Sequence, residues 1–197
     1  MSTDLRSLVL VAHLVGAVFM AAPLYMLIVV NERGRFTVPP GYDTDRYMEN
    51  IIGNHPRRCY FYLGMVLLSG LLLVYAYGAG WGLLVTDWAL ATKLVALVSL
   101  TGLLTYVHLF IQPQINGLFA DLQVGDPIPQ ERRPRLMSLR LSRKRLSGLC
   151  LFLMLTAVIM GVRARAEFHP GAVFLLLVFA GLFAWRAFKT PVSYGWF

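Results

Sequence analysis

Apolar and polar positions divide the chain into long lipid-compatible runs joined by polar connections. From Leu8 to Met20 the only side chain that titrates is His13, and the apolar run continues to Val30. Tyr60 to Ala79 and Trp88 to Ile111 are similarly apolar. Each run has about 20 residues or more, enough for a helix to cross a hydrocarbon core about 30 Å thick. Two shorter runs, Leu146 to Val162 and Gly171 to Phe188, are flanked by Arg or Lys whose stems can snorkel to the interface. The pattern predicts an all-α, polytopic transmembrane bundle of about five spans, at 8–30, 60–79, 88–111, 146–162 and 171–188, in one domain covering 1–197. Runs this long are too long for barrel strands, and in lipid a helix satisfies its own backbone hydrogen bonds. No internal repeat is evident.

Composition agrees: 57% of the 197 residues are hydrophobic and only 14% charged, and mean hydropathy is +0.62. A soluble enzyme is excluded by that balance. The first run is longer than a signal-peptide core and further spans follow it, so it is read as a helix of the mature chain.

The net charge of +8 reports topology rather than nucleic-acid binding. Arg33, Arg35, Arg46, Arg57 and Arg58 fall between the first two spans. Arg132, Arg133, Arg135, Arg140, Arg143, Lys144 and Arg145 fall between the third and fourth, whereas "GWGLLVTDW" has no basic residue. Basic loops stay in the cytoplasm, so the N-terminus is expected outside and the C-terminus inside, in a bacterial cytoplasmic membrane. Arg163 and Arg165 oppose this but are fewer. Cys59 and Cys150 then lie at cytoplasmic helix ends, where packing rather than a disulfide is expected.

Of the two inner loops, the first has breakers at Pro39, Pro40 and Gly41 and a stretch from Asp45 to Ile52 suited to an interfacial helix. In the second, Leu136, Leu139, Leu141 and Leu146 alternate with Arg and Lys. That pattern suits an anchor for the fourth helix, or an amphipathic segment lying on an anionic leaflet.

Ionisable residues within spans default to function, and away from their ends the runs hold three: His13, Lys93 and His108. His13 lies six residues in from Ser7 and Lys93 six in from Asp87, each about 9 Å deep, so the two should share a level. His13 shares its helix face with Val9, Gly16, Ala17 and Met20; the small residues leave room for another helix or for a flat ring. Lys93 shares its face with Ala89, Ala96, Leu97 and Leu100. A lysine in such surroundings suits proton transfer, and a neutral imidazole suits iron. His108 lies about 22 Å beyond Lys93, too far to share one porphyrin iron with His13. His55 is nearer His108 in depth, and His169 belongs to the connection on the His13 side.

The stretches "AHLVGAVFMAAPLYM", "SGLLLVYAYGAGW" and "WALATKLVALVSLTGLLTYVHLF" resemble the HemJ-type protoporphyrinogen oxidases and the related CopD-like small membrane proteins. The resemblance covers roughly the first 110 residues and part of the fourth helix. It implies a bundle holding haem b, with His13 as iron ligand and catalytic group and Lys93 as the second essential group. Gly16, Met20 and His108 would join them around the cofactor. The implied reaction is oxidation of protoporphyrinogen IX to protoporphyrin IX, with electrons passed to a membrane acceptor. Arg57 and Arg58 suit substrate carboxylates, although they lie at the other end from His13. The chain has a fifth helix and longer connections than the family pattern.

Two alternatives stand beside this reading. One is a CopD-like copper-handling or transport protein using Met20, Met26, Met65, Met154 or Met160, although no tight Met or His cluster occurs. The other is a non-catalytic subunit of a larger membrane complex, docking through "PVSYGWF" and the basic loop. Expected partners are the lipid bilayer, a membrane electron acceptor or partner membrane protein, and, in one arrangement, a second copy of the chain.

Overall fold

A computed structural model describes residues 3–31, 41–53, 55–76, 80–166 and 169–189, without the side chains of Val29, Asn31 and His55. The helices are α1 (Thr3–Asn31), α2 (Tyr42–Gly53), α3 (His55–Ala76), α4 (Leu83–Thr86), α5 (Trp88–Tyr106), α6 (Gln112–Gly117), α7 (Arg133–Arg163) and α8 (Pro170–Lys189). A π-helical turn, Val107–Ile111, joins α5 to α6. Five stretches are long and apolar enough to cross a membrane: α1, α2 with α3, α5 through α6, α7, and α8. The all-α bundle of five spans is therefore as expected, and the chain is an integral membrane protein by the length and composition of its helices. The expected span end at 77–79, the breakers Pro39 and Pro40, and "PVSYGWF" lie outside the described residues.

Helix α7 is the hub. It packs against α1, α5 and α8, and 44% of its most apolar window is buried, against 22% for α1, α5 and α8. The main core brings Met20 and Ile28 of α1, Leu63 of α3, Leu100 of α5, Leu151 and Met154 of α7, and Ala184 and Ala187 of α8 together. Without a hydrophobic effect between spans, close packing and interhelical hydrogen bonds hold such a bundle. Gly148 of α7 accordingly approaches Ala184 and Phe188 of α8, and the Tyr60 hydroxyl bonds Thr105 Oγ1 at 2.9 Å between α3 and α5. Asp87 caps α5, its Oδ1 accepting from the Ala89 and Leu90 amides at 2.8 and 3.0 Å.

The basic connection is not laid out as the sequence suggests. The fourth span does not start at 146 after a segment lying on the leaflet: one helix runs from Arg133 to Arg163. Leu136, Arg140, Arg143 and Lys144 are buried within the fold. Helix α2 is present where a short helix was expected, but its Asp45, Glu49 and Ile52 are buried against the protein.

Candidate functional site

His13 sits where α1 packs against α3. A Cβ on Gly16 would lie 2.8 Å from Met65 Cε and 3.0 Å from Val66 Cγ2, so the space beside His13 on α1 is filled by another helix rather than open to a flat ring. Across the contact, a Cβ on Gly70 would lie 3.2 Å from His13 Cε1. The buried imidazole thus lies against bare backbone of α3.

Both ring nitrogens are engaged. Nδ1 is 2.9 Å from Ser69 Oγ, and Nε2 is 2.9 Å from Lys93 Nζ. Ser69 fixes the direction of this chain: its single hydroxyl proton goes to the Met65 carbonyl at 2.5 Å, with Val66 O at 3.3 Å. Ser69 Oγ must then accept, Nδ1 carries the proton, and Nε2 presents its lone pair to a proton of Lys93. The ordered path is Lys93 to His13 to Ser69 to the Met65 carbonyl. Lys93 itself rests on α7, where a Cβ on Gly161 would be 3.1 Å from Nζ. Four spans therefore meet at one imidazole–amine pair, and the shared level expected for His13 and Lys93 is realised as a hydrogen bond. Among the described residues no carboxylate forms an ion pair with Lys93.

The remaining candidates lie apart. Met20 is buried in the main core. His108 is exposed on the π-helical turn, and the side chain of His55 lies outside the described residues. His169 is exposed, and its Nδ1 accepts from the Gly171 amide at 3.1 Å, holding the first turn of α8. Met65 packs on Gly16, and Met154 and Met160 are buried among apolar neighbours. Cys59 and Cys150 are buried free thiols. Among the described residues no group of three or more His, Cys, Asp or Glu side chains is gathered for a metal ion.

A second polar cluster lies at the opposite end of α5 and α7. Arg140 Nη1 donates to Asp45 Oδ1, and its Nε and Nη2 donate to Glu49 Oε1, both at 2.9 Å. Arg143 Nη1 donates to Glu49 Oε2 at 2.7 Å and Nη2 to Glu49 Oε1 at 3.0 Å. Gln112 completes the cluster, accepting from Arg143 Nη1 at 2.7 Å and donating to Glu49 Oε2 at 3.3 Å. Asp45 Oδ2 takes the Gly41 amide at 2.9 Å. All five side chains are buried. Two carboxylates meet two guanidiniums, a balance that binds α2 to α6 and α7. Nearby, outside the spans, the hydrogen bonds from Arg132 hold the exposed Asp121 carboxyl down at about 2.

Ser69, Gly161 and the five-residue cluster were absent from the sequence-based candidates. Ser69 is seven residues from the end of α3, about 10 Å deep, the same level as His13 and Lys93. Asp45 and Glu49 are four apart and Arg140 and Arg143 three apart, complementary pairs on single helix faces. Compared with known proteins, the chain matches no family model, and neither a curated protein nor a solved structure shows significant similarity to it.

Proposed function

We propose that the chain is a haem-b-binding membrane oxidoreductase of the HemJ type, with His13 as the iron ligand and Lys93 as the group that moves protons beside it. The observation that carries this reading is the directed chain Lys93–His13–Ser69. An axial histidine needs its Nδ1 proton fixed by an acceptor so that Nε2 keeps a lone pair for the metal. Ser69 supplies that acceptor, so the imidazole is set up as a ligand, while its Gly16 side is closed to a flat ring by Met65 and Val66. In the described state the lone pair is taken by Lys93, so the iron and the lysine compete for one atom. Lys93 has a four-carbon stem whose rotation would carry Nζ off the imidazole, and Gly161 leaves room for that Nζ against α7. Haem, when bound, supplies one-electron transfer. The chain's own part is to hold the imidazole, to exclude water by burial and to carry protons through Lys93. Oxidation of protoporphyrinogen IX, an acceptor in the bilayer, a cytoplasmic-membrane location and an outside N-terminus belong to this same reading. The basic residues gathered at the α2 and α7 end support the last of these.

The test is the absorption spectrum of protein purified from a haem-replete host. A Soret band is expected that disappears in His13→Ala and shifts in Lys93→Met. A well-folded, colourless wild type would sink the haem assignment. It would leave the second reading, favoured by the Lys93 bond to Nε2: a cofactor-free site that carries protons within a membrane complex.

A further inference from the structure

A shallow trough between α7 and α8 lies apart from the His13 site. Gly148, Leu149, Phe152, Ala184, Trp185 and Phe188 line it, Arg145 stands at its rim, and its volume is about 220 Å³. Gly148 forms part of its floor, where a Cβ would make ordinary contact with Phe188 Cβ at 3.5 Å and the Ala184 carbonyl at 3.7 Å. The floor is apolar and faces outward from a spanning segment, so its natural occupant is a hydrocarbon chain.

The rim determines which kind. Arg140 and Arg143, on the same helix, are neutralised by Asp45 and Glu49, whereas Arg145 is exposed and makes no ion pair among the described residues. Beside the trough, Lys189 Nζ lies 5.7 Å from the Trp185 ring centroid. Aromatic rings topped by cations mark the headgroup level of a bilayer. We infer that the trough is a binding site for an anionic phospholipid, one acyl chain lying on Gly148 and Phe152 and the phosphate pairing with Arg145. A second copy of the chain is disfavoured there, because a two-fold contact would set this cationic rim against itself.

Native mass spectrometry of the full chain, released from detergent containing equal phosphatidylglycerol and phosphatidylcholine, tests the site. The wild type should keep one phosphatidylglycerol in preference to phosphatidylcholine. Arg145→Gln should lower that preference about five-fold, the contribution of one cation at an anionic lipid surface. Arg145→Lys should retain most of it, and Gly148→Ala, which adds a methyl to the trough floor, should lower occupancy by both lipids. Arg135→Gln is the control, an exposed residue bonded to Gln114, and should change nothing. Equal retention of both lipids by the wild type overturns the site. So does an equal loss in Arg135→Gln, which assigns the effect to the general surface charge, or a lipid-free dimer at twice 22.1 kDa.

Discussion

The two polar clusters of this bundle both touch α7 and the span formed by α5 through α6, about 27 Å apart, and treat charge in opposite ways. At the Glu49 end every formal charge in the cluster has an opposite charge in contact, and each buried carboxylate accepts several N–H bonds. At the His13 end a lysine meets only an imidazole and, beyond it, a hydroxyl. The first arrangement is closed: nothing need arrive or leave for it to be satisfied. The second is open, with a displaceable donor on a lone pair and no counter-charge among the described residues, the arrangement expected where a proton or ligand is exchanged.

Substitutions can break this contrast, and the largest effect is expected at the closed end. Glu49→Gln leaves two buried guanidiniums facing one carboxylate and should destabilise the protein by about 3–5 kcal/mol, the cost of removing one member of a buried ion pair. Unfolding followed by tryptophan fluorescence in detergent would measure it. A loss below about 1 kcal/mol would remove the distinction between the ends. His13→Ala should cost only about 1 kcal/mol in the same assay, the scale of an interhelical hydrogen bond, while abolishing any Soret absorbance. Gly161→Ala should be milder still in stability, because the added methyl meets the mobile end of Lys93 rather than backbone. It should nonetheless weaken the Lys93–His13 bond, read as a shift of the His13 Nε2 resonance in 15N NMR. An unchanged resonance would mean that Gly161 does not position the lysine.

The smallest effect belongs to the exposed Asp121–Arg132 pair. Its carboxyl is held at about 2 by hydrogen bonds from Arg132. A lowered carboxylate value means stabilisation that is present above the ordinary range near 4 and is lost as pH falls through about 2. Asp121→Asn should therefore leave the melting temperature nearly unchanged at pH 7, and the small difference from wild type should vanish below pH 2.

Hydropathy made the five spans readable because a long apolar run has few alternatives to a helix in lipid. Depth counting brought His13 and Lys93 to one level because helical rise is nearly constant. Position around each helix was harder to read. Ser69 is by sequence a small polar residue in the second span, and only the packing of α3 against α1 gives it His13 as a partner. The basic stretch at Arg140 to Arg145 failed for a different reason: a run of cations reads as surface unless its carboxylate partners are known, and Asp45 and Glu49 lie about ninety residues away in sequence.

The π-helical turn at Val107–Ile111 settles how both clusters can face α7. Gly161, against Lys93, and Arg143, against Gln112, are eighteen residues apart on α7, five whole turns at 3.6 residues each, so they share one stripe. On the opposing span, α5 through α6, Lys93 and Gln112 are nineteen residues apart, one too many for the same stripe. The wider turn absorbs the surplus. In genetic terms the turn behaves as a tolerated one-codon insertion. Deleting a single residue there would regularise the helix and leave Lys93 and Gln112 eighteen residues apart, five whole turns, so Gln112 would still face Arg143.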